Sequence, residues 1–390
     1  MTIKPLITLA VLLPTCLLAR PKGSPENFKE LAIGDAAPDF TLKATDGKTY
    51  SLSDFSKPDV LMVYFTGTHC PTSHGVEGRL QQLVKDMADK SFGIVAINPN
   101  HNDGLRPDEF SYSQYTESFE DSARYAKDLG WTFPFLYDGD KQLVSASYGC
   151  LATPHVFVFD KERKLRYQGR YDDSRYADPK TVKSHDTRNA IDALLAGKPV
   201  PVEKTRPFGC STKWRGKKAG VVADAVAWSK LPVTAEEIDL KAVKALRANG
   251  TKKVRLINVW ASWCAPCNAE LPDIAAIARR YARRDLEVIT IALDKAEDKP
   301  KVEKILGKHG LAVSPKHVKS LKEEGRTTNN YIYAGAGTDG LAEALDPEWK
   351  GPIPYTLLVD TDGKILMRVD GKIDQEKMLV DILKRMKTTW

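Results

Sequence analysis

One arrangement occurs twice in this chain and limits what it can fold into. An apolar run, "VLMVYF" at 60–65, leads to Cys70, and a second, "VRLINVW" at 254–260, leads to Cys264, each cysteine having a proline within two residues after it. A hydrophobic segment that opens on a proline and ends in aspartate follows in both halves. Pro154 to Asp160 begins 84 positions after the first cysteine, and Pro354 to Asp360 begins 90 after the second. An apolar run followed by residues at helical spacing predicts a buried strand feeding an amphipathic helix. Two copies predict a tandem duplication of one α/β unit. With 390 residues, 42% of them hydrophobic, the chain is long enough for two cores.

The patterns between these landmarks fill out both units. In the first, "GDAAPDFTLKATDGKTYSLSDF" (34–55) predicts two short strands around an Asp-Gly turn, and Val76, Leu80, Leu83, Val84 and Met87 mark a helix. "FGIVAINPN" (92–100) is a strand and 118–130 a helix ending at glycine; "HVFVFD" and "KLRYQGR" form a hairpin before a last helix, "TRNAIDALLAGK". In the second, Leu271, Ile274, Ala278 and Tyr281 share a helix face, "EVITIALD" is a strand, and "YTLLVD" with "KILMRVDG" makes the hairpin before the closing helix. Pro, Lys and Gly accumulate between Gly197 and Gly220. The expected organisation is a signal at 1–19, a first domain at 27–205, a solvated linker at 206–224 and a second domain at 225–390.

The start of the chain carries one lysine, an apolar run from Pro5 to Ala19, and then Arg-Pro-Lys-Gly. This is the layout of an export signal cleaved after Ala19, too short to span a bilayer comfortably. A lipid-anchored alternative would use Cys16. The bulk of the chain is therefore expected in a periplasmic or otherwise exported, oxidising compartment, with membrane association only through its N-terminus. A net charge of +7, with basic residues interleaved among acids, reads as a solvated surface and gives no sign of nucleic-acid binding.

Cys264-Ala265-Pro266-Cys267 falls at the start of a helix. There, unpaired backbone N–H groups and the helix dipole favour a thiolate at Cys264. Cys267, one turn on, is placed to attack a mixed disulfide on Cys264. A zinc site would need a second ligand pair, and this half offers only the isolated His309 and His317. The reading calls for no cofactor and no metal.

"NVWASWCAPCNAELP" followed by "IPYTLLVDTDGKI" resembles the thioredoxin superfamily, and more closely its exported thiol-disulfide reductases of the TlpA and ResA type. The resemblance implies two thioredoxin-like folds, each a mixed β-sheet flanked by helices. It implies a cis-proline at Pro354, with Ile353 beside it, facing the cysteine pair where a substrate strand binds. Glu270 would tune the cysteines or move protons, and Trp263 would shape the rim. The partners implied are extracytoplasmic protein disulfides and a membrane or periplasmic thiol donor. "GDAAPDF", "FTGTHCP", "INPN", "TPHVFVFD" and "GRYDDS" resemble the redoxin, or peroxiredoxin-like, branch. That likeness implies a nucleophile at Cys70 and a cis-proline at Pro154, with Thr153 beside it.

Two departures qualify the second likeness. Ser73 stands where a partner cysteine would be, and Gly67 where a peroxidase carries threonine. Cys210 and Cys150 are the candidates to resolve Cys70, and a structural Cys150–Cys210 clip is the alternative. His69 and His74 flank Cys70, which opens a copper-binding or client-binding reading; as rim residues they would instead acidify the thiol. The leading expectation is a thiol-disulfide oxidoreductase using Cys264 and Cys267. The alternatives are a Cys70 peroxidase regenerated by the second domain, or a chaperone.

Overall fold

The computed structural model describes residues 20–335 and 337–386; the expected signal segment and its Cys16 lie outside them. No helix among the described residues is long and apolar enough to cross a membrane.

The first unit opens on a hairpin, β1 (Thr41–Lys43) and β2 (Thr49–Ser51), turning at Gly47 with φ +87°. There follow β3 (Val60–Phe65), α1 (Pro71–Asp86), β4 (Phe92–Asn98), α2 (Phe119–Asp128), β5 (Phe135–Tyr137), α3 (Leu143–Ser147), β6 (Ala152–Thr153), β7 (His155–Phe159), β8 (Leu165–Gly169), α4 (Asp186–Leu195) and β9 (Cys210–Ser211). The central sheet has the order β5-β4-β3-β7-β8, with β3 parallel to β4 and antiparallel to β7. Every residue of β3 is buried because the strand is covered on both faces. Val60, Met62 and Tyr64 pack with Val76, Leu80 and Leu83 of α1, while Leu61, Val63 and Phe65 pack with Phe40, Phe55 and Tyr148.

The second unit repeats this plan with one additional strand in its central sheet, β10 (Glu236–Ile238). It comprises α5 (Lys218–Ser229), β10 (Glu236–Ile238), α6 (Leu240–Ala248), β11 (Val254–Trp260), α7 (Ala265–Arg280), β12 (Leu286–Ala292), α8 (Lys299–His309), α9 (Val318–Glu323), β13 (Asn330–Tyr333), α10 (Asp339–Leu345), β14 (Tyr355–Val359), β15 (Ile365–Asp370) and α11 (Gln375–Arg385). Its sheet runs β10-β13-β12-β11-β14-β15. Leu256 and Trp260 of β11 pack with Leu271, Ile274 and Ile277 of α7; Ile257 and Val259 pack with Val243, Leu246 and Leu341. The sequence pattern left β10 and β13 unannounced, since three or four residues without alternation give too short a signal.

The linker expected at 206–224 is corrected. Residues 206–217 are part of the first unit: β9 pairs with β6, Thr212 and Lys213 are buried, and Trp214 is only 1% exposed, its ring 6.0 Å from that of Phe28. The basic run there is also spent, Lys213 pairing with Glu109 at 2.5 Å and Lys218 with Asp103 at 3.0 Å. Composition suggested a solvated connection, but one buried tryptophan and a set of backbone bonds hold the segment down.

The two units meet at the C-terminal end of α7 and at the start of α11, where Glu376 pairs with Arg124 of the first unit. Arg280 donates to the Phe110 carbonyl at 3.1 Å and to that of Ser113, and its guanidinium lies 5.6 Å from the Phe110 ring. Arg284 donates to Ser111 at 3.2 Å, and Arg283 pairs with Asp108 at 3.2 Å.

Candidate functional sites

Both cysteine sites arise from the same local geometry. A buried strand ends, the chain turns, and the cysteine becomes the residue that caps the following helix: Cys70 before α1 and Cys264 before α7, both with extended backbone. Proline at the first or second helical position suits that start, because its missing N–H would have no intrahelical partner there.

In the second unit Cys264 and Cys267 are joined as a disulfide. The Cys267 amide donates to Cys264 Sγ at 3.2 Å, and Cys267 is fully buried while Cys264 keeps a 6% opening. Cys264 Sγ lies 3.9 Å from the carbonyl oxygen of Ile353, and the Ile353–Pro354 peptide is cis. Trp263, 65% exposed, lines a groove of about 460 Å³ with Asp294, Tyr333, Gly351 and Ile353. Nothing in the described chain pairs as a strand with residues 351–353. The backbone edge beside the disulfide therefore lies open.

Glu270 lies beneath this pair, one turn along α7 and fully buried. Burial pushes its carboxyl above the ordinary range, against hydrogen bonds from the Ile373 amide at 2.9 Å and Asn258 Nδ2 at 2.7 Å that favour the charged form. Sequence reasoning found Glu270 but missed Asn258 and Asp294. Asp294 accepts from the Ser262 amide at 2.9 Å and so fixes the turn that carries the cysteines. Asn258 is a lone amide inside β11 and Asp294 lies in the loop just after β12, a weak signal without the fold.

In the first unit Cys70 is 0% exposed. Its Sγ lies 2.9 Å from the Thr153 carbonyl, and the Thr153–Pro154 peptide is cis. Burial alone would raise this thiol; the Cys210 thiol donating to it, the His69 charge, and the Cys210 and Ser73 amides together hold it well below the usual range. Cys210 is raised in turn, first because its proton is held by Cys70 and then by burial. Ser73 thus supplies an amide where the second unit has a thiol, and the thiol comes from Cys210. Cys150 takes no part. It is fully buried, bonded to the Ala152 carbonyl at 3.4 Å and within 3.5 Å of Thr212 Oγ1, and burial pushes it up to about 12.

The environment of Cys70 is built by residues no motif announced. Glu117, fully buried, accepts from the His69 amide at 2.8 Å and pairs with His69 Nδ1. Burial acts to raise its carboxyl, but His69 and the hydrogen bonds hold it below the ordinary range. A Cβ at Gly67 would stand 2.2 Å from Asn100 Nδ2 and 2.9 Å from Glu117 Oε1, so a side chain at this position would have to displace the ends of two fully buried polar side chains. His74 Nε2 lies 2.8 Å from the Thr68 carbonyl. Among the described residues no group of three His, Cys, Asp or Glu side chains is placed to hold a metal.

Comparison with known proteins agrees with this duplication. The AhpC/TSA family model matches residues 33–168 and the Redoxin model residues 227–383. Curated relatives include a thiol-disulfide oxidoreductase ResA of Oceanobacillus iheyensis, 25% identical over 40% of this chain and 69% of the relative. Another, of the same name in Bacillus thuringiensis, is 27% identical over 35% of this chain and 63% of its own. A solved hypothetical protein of Sinorhizobium meliloti is 33% identical, spanning 48% of this chain and 96% of its own at a TM-score of 0.43. The chain is thus a tandem of two redoxin-type domains, an AhpC/TSA-family unit followed by a Redoxin-family unit.

Proposed function

We propose that the chain is an exported thiol-disulfide oxidoreductase that reduces or exchanges disulfides in extracytoplasmic proteins through Cys264 and Cys267. The observation that carries this reading is the Cys264–Cys267 disulfide at a helix start, beside an unpaired backbone edge at Ile353. In the reducing direction the Cys264 thiolate attacks a client disulfide, one client sulfur leaves as a thiolate, and a mixed disulfide forms. Cys267 gives up its proton, attacks Cys264 and expels the second client sulfur as a thiolate. Two electrons reach the client, and the disulfide regained is reduced by an external dithiol, assigned to a membrane or periplasmic donor. Glu270 is suited to take the Cys267 proton, its carboxyl being raised by burial. The extended edge at residues 351–353 suits a client segment lying as a strand. The assignment outside the cytoplasm rests on the pattern of residues 1–19.

One observation weighs against the peroxidase alternative at Cys70: a side chain at position 67 would displace the ends of the buried Asn100 and Glu117 side chains.

The test is turnover of a disulfide-bonded protein, insulin, by the full chain with dithiothreitol as donor. The expected result is activity that Cys264→Ser abolishes, with Cys267→Ser trapping Cys264 in a mixed disulfide. Undiminished turnover in Cys264→Ser sinks the proposal.

A further inference from the structure

The first domain has a client edge too, but the chain itself occupies it. β9 lies antiparallel on β6, with Ala152 opposite Ser211 and Thr153 opposite Cys210. This is the position, next to a cis-proline and facing the capping cysteine, that stays unpaired in the second domain. The segment is held on both sides of Cys210. Gly209 fits against Thr153, its virtual Cβ only 2.1 Å from that carbonyl oxygen. Thr212 Oγ1 donates to the Cys150 carbonyl at 3.0 Å, the Lys213 amide to Asn100 Oδ1 at 2.9 Å, and the Arg215 amide to Gln142 Oε1 at 2.7 Å.

We propose that Cys70 and Cys210 form a second redox couple, a reversible disulfide in which Cys210 is the sulfur that exchanges with external thiols and Cys70 is the internal sulfur. The division of labour follows from exposure and environment. Cys70 is closed to solvent while Cys210 is only half-buried. Cys70 is bonded by the Cys210 thiol and by the Ser73 amide at the start of α1. Ser73 Oγ and Thr153 Oγ1 are buried without a hydrogen-bond partner among the described residues. An incoming thiolate reaches the more open sulfur, and exchange is fastest when the departing sulfur is the more acidic.

In the reducing direction a small thiolate attacks Cys210 Sγ, the Cys70–Cys210 bond breaks, and Cys70 departs as thiolate. A second small thiol, losing its proton, then attacks the mixed disulfide. The small disulfide leaves, and Cys210 takes up that proton. Two electrons move from the two small thiols to the chain. Oxidation by a small disulfide is the reverse, with the Cys70 thiolate attacking a mixed disulfide on Cys210. β9 here plays the part of a bound client whose cysteine is always present.

The test uses the full chain carrying Cys264→Ser and Cys267→Ser, so that its outcome is independent of the proposed client activity. The protein is equilibrated with mixtures of reduced and oxidised glutathione, quenched in acid, alkylated and mapped by mass spectrometry. The expected result is one two-electron transition linking the Cys70 and Cys210 peptides, with Cys150 alkylating only after denaturation. With Cys70→Ser added, glutathione is expected on Cys210; with Cys210→Ser added instead, Cys70 is expected to carry at least tenfold less. Failure of the two peptides to link at any ratio, a Cys150–Cys210 link, or equal glutathione on Cys70 when Cys210 is absent would each overturn the proposal.

Discussion

Thr153 and Cys210 are antiparallel partners across β6 and β9, and the carbonyl of Thr153 also lies 2.9 Å from Cys70 Sγ. One peptide unit thus touches both sulfurs of the first domain. Gly209 makes this approach possible, with φ +150° and no side chain to strike the Thr153 carbonyl. Gly209→Ala is expected to lift β9 off β6, costing about 1–3 kcal/mol for the backbone alone, and to expose Cys70. Iodoacetamide should then label Cys70 in the native protein at least tenfold faster. An unchanged rate would mean that β9 does not cover this sulfur.

Trp214 tests the corrected domain boundary. As a fully buried anchor its replacement by alanine is expected to cost about 3–5 kcal/mol, read as a lower melting temperature for the first domain. A linker residue would cost nothing, so a change below about 0.5 kcal/mol, the range of ordinary surface substitutions, returns residues 206–217 to the linker.

Glu117 and His69 form the buried pair behind Cys70. Because the carboxyl of Glu117 is held below the ordinary range, its ionised form stabilises the fold. That contribution is present above its ordinary value near 4.5 and is lost as pH falls through the lower, folded value. Glu117→Gln is expected to remove this part of the acid-unfolding transition. It is also expected to shift the apparent pKa of Cys70, because the His69 charge that favours the thiolate loses its buried partner. Alkylation rate against pH measures the second effect. A Cys70 profile that does not move shows the pair to be structural only.

The legible parts of this molecule were those written in consecutive residues. β3 and β11 announced themselves as unbroken apolar runs, and Cys264 and Cys267 as a pair one helical turn apart. Glu117 and Asn100 could not be seen this way, because their role depends on the absent side chain at Gly67, 50 and 33 positions earlier. The segment around Cys210 misled for a related reason. "RPFGCSTKWRGKK" has the composition of a solvated connection, and what buries it is long-range backbone pairing with β6, which leaves no periodicity.

Glu270 offers the clearest pH signature in the second domain. Its carboxyl is raised by burial, so at neutral pH its charged form is the less comfortable one and a proton moves to it readily from Cys267. Glu270→Gln keeps the shape and removes the acid. Insulin reduction is expected to fall about 100-fold, the low end for a lost general base, and the acidic limb of the rate profile should vanish with it. Addition of thiolate-forming alkali should recover part of the rate, because Cys267 then ionises without help. A variant with the wild-type profile would leave Glu270 as a buried support for Asn258 and Ile373 alone.

Arg280 and Arg284 dock the end of α7 on the Phe110–Ser113 loop, whose Phe110 ring lies 6.5 Å from that of His69. Neither arginine belongs to the cysteine machinery, so the double replacement Arg280→Ala with Arg284→Ala separates docking from chemistry. The expected result is a larger radius of gyration by small-angle X-ray scattering and two separate unfolding transitions, with insulin reduction through Cys264 unchanged. Were the dithiol to draw its electrons from the first domain across this contact, reduction supported by the first domain's own thiols, without dithiothreitol, would disappear in the variant. A single-turnover measurement with the fully reduced chain distinguishes the two. Two electrons per chain delivered to insulin by both proteins mean independent sites, whereas four from the wild type and two from the variant mean a relay through the interface.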